Sequence, residues 1–124
     1  MKEYTFGDVK KTLKDNTYYL EEKAKEAAGL TEEMELAVMG LKTQYQNLIT
    51  KMKSAKPEEM EALESKASEI DDKTLELSKK MAWYSDFAKV KAVFDILFVE
   101  GSDGITQENI GKKQVKEIWA DFFA

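Results

Sequence analysis

Acidic side chains are the most numerous reactive groups in this sequence, and they are dense between positions 58 and 72. General acid–base catalysis needs two carboxylates in a dry pocket that separates their pKa values. Here lysines such as Lys66 and Lys73 alternate with the acids, and the acids lie opposite an apolar seam. The pattern therefore favours a solvated helix face over a catalytic pair. The carboxylates are Glu58, Glu59, Glu61, Glu64, Glu69, Asp71 and Asp72.

The sequence contains no cysteine and no histidine. Disulfides, thiolate zinc sites and cysteine nucleophiles are thereby excluded, as is catalysis by a serine–histidine pair. A di-metal site in a helix bundle needs Glu-x-x-His pairs, which this chain cannot supply. We therefore predict no catalytic residue, no metal ligand and no cofactor, and we expect the protein not to be an enzyme.

The segment from Glu100 to Glu108, EGSDGITQE, has the composition of a calcium-binding loop. Placing Ile105 at the hydrophobic position of such a loop puts Phe98 at the first ligand position. The same alignment puts Asn109 where a bidentate glutamate is required. The segment is better interpreted as a glycine-rich turn followed by a helix that Thr106 caps.

Charge and hydropathy narrow the possible partners. The net charge is −5, and all 19 basic residues are lysine, so the chain lacks the arginine that phosphate and guanine recognition prefers. We therefore expect no nucleic-acid partner. No apolar run approaches the ~20 residues that span a bilayer, and the first residues show no apolar signal region. We expect a protein without a membrane partner that is cytoplasmic, or exported by a route that leaves no signal segment.

The elements that would carry these residues are predicted to be helices, which gives an all-α fold and one domain over residues 1–124. Thr5 is interpreted as the cap of a first helix, which follows a short extended arm and runs from Phe6 to Ala27. Asn16-Thr17 is a point where this helix bends or breaks. Gly29 is a natural stop.

Two apolar seams follow, each with alternating spacings of four and three residues, which is the spacing of coiled-coil helices. Thr31 is predicted to cap the first helix, and Pro57 suits the first turn of the second. A tight link between them predicts an antiparallel helical hairpin over residues 31–80. The seam residues are Met34, Val38, Leu41, Tyr45, Leu48 and Met52, then Leu63, Ala67, Ile70, Thr74, Leu77, Met81 and Tyr84.

The second helix is expected to continue to Val99 as a long central helix, with Ser85 as the position of a possible bend. Short flanking helices, the last from Gln107 to Phe123 and alternatively restarted at Gly111, would pack at an aromatic-rich end over residues 81–124. The aromatic side chains there either form the core or bind a partner. The candidate partner-binding residues are Trp83, Tyr84, Phe87, Phe94, Phe98, Trp119, Phe122 and Phe123.

The carboxy-terminal third, from about Lys89, resembles the ends of tail assembly chaperones of long-tailed bacteriophages and prophages. The likeness lies in KAVFDILFVEGSDGITQENIGKKQVKEIWADFFA, an apolar helix, a glycine-bearing turn and a helix with an aromatic end. The resemblance implies a non-enzymatic protein of the host cytoplasm. It would hold the long helical tape measure protein until tail tube subunits polymerise around it.

A different interpretation is a self-assembling helical-hairpin component, structural or secreted, that has no client. The heptad seams suit it, because they can pair within one chain or between copies in a homo-oligomer. A secreted hairpin family with a Trp-x-Gly turn is disfavoured, since Lys56-Pro57 occupies the turn.

Overall fold

The computed structural model describes all 124 residues and is mostly helical, with one small antiparallel sheet. The prediction of a purely all-α fold is therefore corrected by a two-stranded hairpin at the start of the chain. No helix is long and apolar enough to cross a membrane. In chain order, the elements are β1 (Glu3–Phe6), β2 (Val9–Thr12), α1 (Tyr18–Ala28), α2 (Glu32–Lys53), α3 (Pro57–Met81), a 3-10 turn (Trp83–Ser85), α4 (Phe87–Leu97) and α5 (Lys112–Phe123).

The predicted helix from Phe6 to Ala27 is wrong over its first half, where β1 and β2 pair instead. Phe6 pairs with Val9 across a two-residue loop. Gly7 begins this loop with φ of 59°, a conformation that glycine adopts without steric cost and that hairpin loops use. Thr5 consequently lies within a strand and caps no helix.

The first helix begins only at Tyr18. The hydroxyl of Thr17 accepts a hydrogen bond from the backbone N–H of Leu20 at 3.2 Å, so Thr17 is the cap. The break predicted at Asn16-Thr17 thus marks the start of α1. Gly29 ends the helix with φ of 74°, which confirms the predicted stop.

The long central helix to Val99 is wrong, because α3 ends at Met81 and the 3-10 turn separates it from α4. Asp86 starts the new helix, and its carboxylate accepts the backbone N–H of Ala88 at 3.0 Å. Phe98 leaves α4 in an extended conformation and bridges to Leu13 at the end of β2. Residues 97–99 therefore extend the edge of the small sheet.

Two turns precede the last helix. The carboxylate of Asp95 accepts hydrogen bonds from the backbone N–H and the hydroxyl of Ser102, at 2.8 and 2.5 Å. A second turn begins at Thr106, whose hydroxyl accepts the N–H of Glu108 at 3.3 Å. Because this turn does not continue as helix, α5 starts at Lys112 after Gly111, as the alternative start predicted.

The chain divides into two compact units. The first unit comprises residues 1–30 and 82–124, and it contains both strands, the 3-10 turn and helices α1, α4 and α5. Its core is continuous, with α1 packed on α4 and side chains from β1, the 3-10 turn and all three helices inside, together with Leu13 just after β2. The largest fully buried side chains are those of Phe6, Phe94, Phe98, Leu97, Ile105, Ile118, Val90 and Val93.

The second unit, residues 31–81, consists of α2 and α3 packed against each other. The hydroxyl of Thr31 accepts the N–H of Met34 at 3.2 Å, which confirms this cap, and α3 begins at Pro57 as predicted. Leu48 is the single buried residue of α2, and α3 has none. The seam side chains are thus only partly removed from solvent.

Candidate functional site

Four of the eight candidate partner-binding aromatics lie in the core of the first unit. Phe94 and Phe98 are fully buried, and Trp83 and Phe122 are 5% and 2% exposed. The ring centroids of Phe94 and Phe98 are 5.1 Å apart, and Phe6 lies 5.8 Å from Phe98. These four side chains hold the unit together and are closed to a partner in this conformation.

The other four candidates, Tyr84, Phe87, Trp119 and Phe123, are half-buried. Three of them join Trp83 in a row of rings, which we call the aromatic strip: Tyr84, Trp83, Trp119 and Phe123. Successive ring centroids are 6.2, 4.8 and 4.5 Å apart. The contact of Trp83 with Trp119 couples the 3-10 turn to α5. The strip therefore rests on buried side chains while three of its rings reach the surface.

Two lysines flank the strip. Lys116 Nζ lies 4.3 Å from the ring centroid of Tyr84, and Lys25 Nζ lies 5.8 Å from that of Phe123. A cation at this distance is attracted to the ring face. The strip thus combines apolar rings with positive charge at both ends, which suits a helix bearing apolar and acidic side chains.

Phe87 lies beside the strip rather than within it. Together with Tyr84 it lines a shallow groove of about 250 Å³ between the 3-10 turn and the start of α5, with Ile110 and Val115 opposite. Ser85, Gln107 and Lys112 also line the groove, so it is a mixed polar and apolar surface without a buried charged group.

A larger groove, of about 710 Å³, runs between α2 and α3 in the second unit. The sequence left open whether the seams pair within one chain or between copies, and it did not place a groove between these two helices. The heptad spacing is the sequence signal for such a groove, because two helices alone cannot cover both sides of an apolar seam. The side chains on its floor and walls include Val38, Leu41, Tyr45, Ile70, Thr74 and Leu77.

The acidic run of α3 forms no enclosed site. All seven carboxylates between Glu58 and Asp72 are exposed. No group of three or more carboxylates in the chain is close enough to hold a metal ion. The arrangement is that of a solvated helix face.

A polar network that the sequence gave no signal for joins the first strand to the last helix. Lys2 Nζ lies 2.8 Å from a carboxylate oxygen of Asp121, and the Tyr4 hydroxyl donates to the same oxygen. Burial, followed by the hydrogen bond to Asp121, raises the pKa of Tyr4 to about 12. Hydrogen bonds from Lys2 and Tyr4 hold the pKa of Asp121 below 3.8, and the bond to Asp121 raises the pKa of Lys2 above 10.5.

These shifts predict a defined pH dependence of stability. The lowered pKa of Asp121 contributes stability above pH 3.8 that is lost as the pH falls through its folded value. The raised pKa values of Tyr4 and Lys2 contribute stability below pH 10 that is lost as the pH rises through theirs. We expect Asp121→Asn to lower the melting temperature throughout the range between these limits, and the difference from the native chain to shrink as the pH falls below 3.8.

Thermal melts followed by circular dichroism across pH 3 to 11 measure this difference. Tyr4→Phe is the matched control, because it removes the phenol and keeps the contact between Lys2 and Asp121. This variant should still lose stability as the pH falls through the pKa of Asp121. A difference between Asp121→Asn and the native chain that is the same at pH 3 and pH 7 would refute the network's role.

No family model, curated protein or solved structure matches this chain.

Proposed function

We propose that this protein is a non-enzymatic helical binding protein that acts as a tail assembly chaperone, holding a phage tape measure protein in the host cytoplasm. The observation that supports the proposal is the aromatic strip of the first unit. Two of its half-buried rings, Trp119 and Phe123, lie in the part of the chain that resembles such chaperones.

The strip has the features of a helix-binding surface. Rings held at 4.5 to 6.2 Å from one another form a rigid apolar patch, and rigid aromatics lose little conformational entropy when a partner covers them. An amphipathic helix could bury its apolar stripe against Trp119 and Phe123. Its acidic side chains would then meet Lys116, whose Nζ lies 4.3 Å from the ring centroid of Tyr84.

Paired substitution of the exposed rings tests the proposal. Trp119→Ala combined with Phe123→Ala should keep the helical circular dichroism signal, because both side chains are half-buried. It should reduce capture of a tape measure protein from the same phage genome, co-expressed with this chain, by at least about tenfold, the loss expected from two interface aromatics. Soluble yield and co-purification of the tape measure protein are the readouts.

Tyr18→Ala combined with Tyr19→Ala is the matched control. It removes two rings from the same unit, but these rings are 90% and 66% exposed and lie outside the strip. Capture should remain at the native level. The proposal fails if both pairs reduce capture equally, or if the Trp119 and Phe123 pair captures the tape measure protein as well as the native chain does.

The second candidate function is a self-assembling helical-hairpin component without a client. The open seam of the second unit favours it, since α3 buries no residue. This function predicts stable assembly of the pure protein and no capture of the tape measure protein by any variant.

A further inference from the structure

The second unit is an unfinished helix bundle. In a four-helix bundle the seam of each helix faces the seams of its neighbours, and the a and d side chains become buried. Here the seam of α2 and α3 contains one buried residue, Leu48. The 710 Å³ groove lies along this seam. Two more helices laid across the groove would complete the core.

The hairpin has two open flanks, and their chemistry differs. At about 100° per residue, Val38, Tyr45 and Thr74 project to the flank that contains the large groove, which we call the apolar face. The opposite flank has two smaller grooves, which lysines and glutamates line, among them Lys73 and Glu76. Only the apolar face is suited to burial against another apolar surface.

The apolar face has the area that a dimer requires. The 22 residues of α2 make a helix of about 33 Å, and two packed helices are about 20 Å wide. A contact that runs the full length of α2 therefore covers about 650 Å² of one copy, and a pair of copies would bury about 1,300 Å². Stable, specific interfaces begin near 1,200 Å².

The charges at the rim select the occupant. Lys42 of α2 and Asp71 of α3 line the same groove from its two sides. When a second hairpin is turned over by a two-fold axis parallel to the helices, α2 of each copy lies on α3 of the other. Each Lys42 then faces an Asp71, twice in the dimer, and every neighbouring pair of helices is antiparallel. A two-fold axis perpendicular to the helices would instead lay α2 on α2 and α3 on α3, so that Lys42 and Asp71 would lie on helices that do not face each other across the interface.

We propose that the apolar face binds a second copy of this chain, which gives an antiparallel four-helix bundle with two symmetric Lys42–Asp71 pairs. The inference does not depend on client capture, because the aromatic strip belongs to the other unit. A dimer would present two such strips, so that a long helical client could be held at two points.

Charge reversal tests both the interface and its geometry. The native chain should have a mass of about 28 kDa in solution, twice the 14.2 kDa of one chain. Lys42→Glu and Asp71→Lys, each alone, place like charges together twice and should raise the dissociation constant by about tenfold or more. An equimolar mixture of these two variants, and the double variant, should both recover the native constant. Sedimentation equilibrium up to about 1 mM measures each constant.

Two further variants serve as controls. Lys73→Glu makes the same charge change on the opposite flank and should leave the dissociation constant unchanged. Tyr45→Glu inserts a charge into the apolar face at a side chain that is already 40% exposed, so it should give a folded monomer. A monomeric native chain, an assembly larger than a dimer, or single charge reversals that dimerise as the native chain does would each overturn the proposal.

Discussion

Replacing Phe94 by alanine is expected to lower the free energy of unfolding by about 3–5 kcal/mol, the usual cost of removing a buried ring. Phe94 is fully buried, and its ring lies 6.3 Å from Phe6 and 5.1 Å from Phe98. It therefore links α4 to the first strand and to the extended residues that follow α4. Urea denaturation followed by circular dichroism measures the loss.

Phe87→Ala is the matched control for this substitution. It removes the same side chain from the same helix, seven residues earlier, where the ring is half-buried. The loss should be well under half of that for Phe94→Ala. Equal losses at the two positions would contradict the placement of Phe94 in the core. The comparison also separates the aromatics that stabilise the fold from those free to contact a partner.

Gly104→Ala is expected to lower the free energy of unfolding by about 2–4 kcal/mol. Gly104 has φ of 84°, a conformation that strains any residue with a Cβ atom. A Cβ atom there would also lie 2.8 Å from Cγ2 of Val9, closer than atoms in contact can approach. Thermal and urea denaturation report the loss directly.

Gly101→Ala separates the cost of the positive φ from the cost of the close contact with Val9. Gly101 also has a positive φ, of 70°, but its added Cβ atom would come no closer than 3.3 Å to another residue, at a carboxylate oxygen of Asp95. Its cost should be the smaller of the two. Adding Val9→Ala to Gly104→Ala removes the clash and should recover part of the loss. If Gly101→Ala costs as much as Gly104→Ala, close packing on Val9 contributes nothing.

Helix caps and seams could be predicted from the sequence because each depends on a few adjacent residues. Thr31, Gly29 and Pro57 act locally, through a hydroxyl, a positive φ and a missing N–H. The heptad spacing of α2 and α3 likewise depends only on positions along one chain segment. These three positions agree with the structure, whereas the caps predicted at Thr5 and Thr106 begin no helix.

The first strands were missed because short apolar patterns fit two periods at once. Phe6, Val9 and Leu13 recur at helical spacing, yet Tyr4 and Phe6 also alternate as in a strand. The deciding signal was Gly7-Asp8, since a glycine at the start of a two-residue loop favours a hairpin. The sequence predicted a bend near Ser85 and not a full break after Met81, because the segment contains neither glycine nor proline. Asp86, a good cap directly before Phe87, was the signal there.

For the candidate site, the sequence could identify the aromatic residues but not which of them are buried. Composition identifies aromatic residues but does not distinguish the buried side of α4 from the exposed side of α5. Phe122 and Phe123 are neighbours, and only the first is buried, because successive positions on a helix point about 100° apart. That distinction depends on where α5 packs, which tertiary contacts decide.

The first unit is assembled from two stretches of chain that 51 intervening residues, 31–81, separate. Closing a flexible loop of that length is entropically costly, and the cost falls when the loop is shorter. A helical hairpin relies on contacts near in sequence, so it forms rapidly and brings its own ends together. The packing of α1 on α4 then costs less loop-closure entropy. Early formation of the hairpin therefore raises the folding rate of the first unit, which contains the aromatic strip.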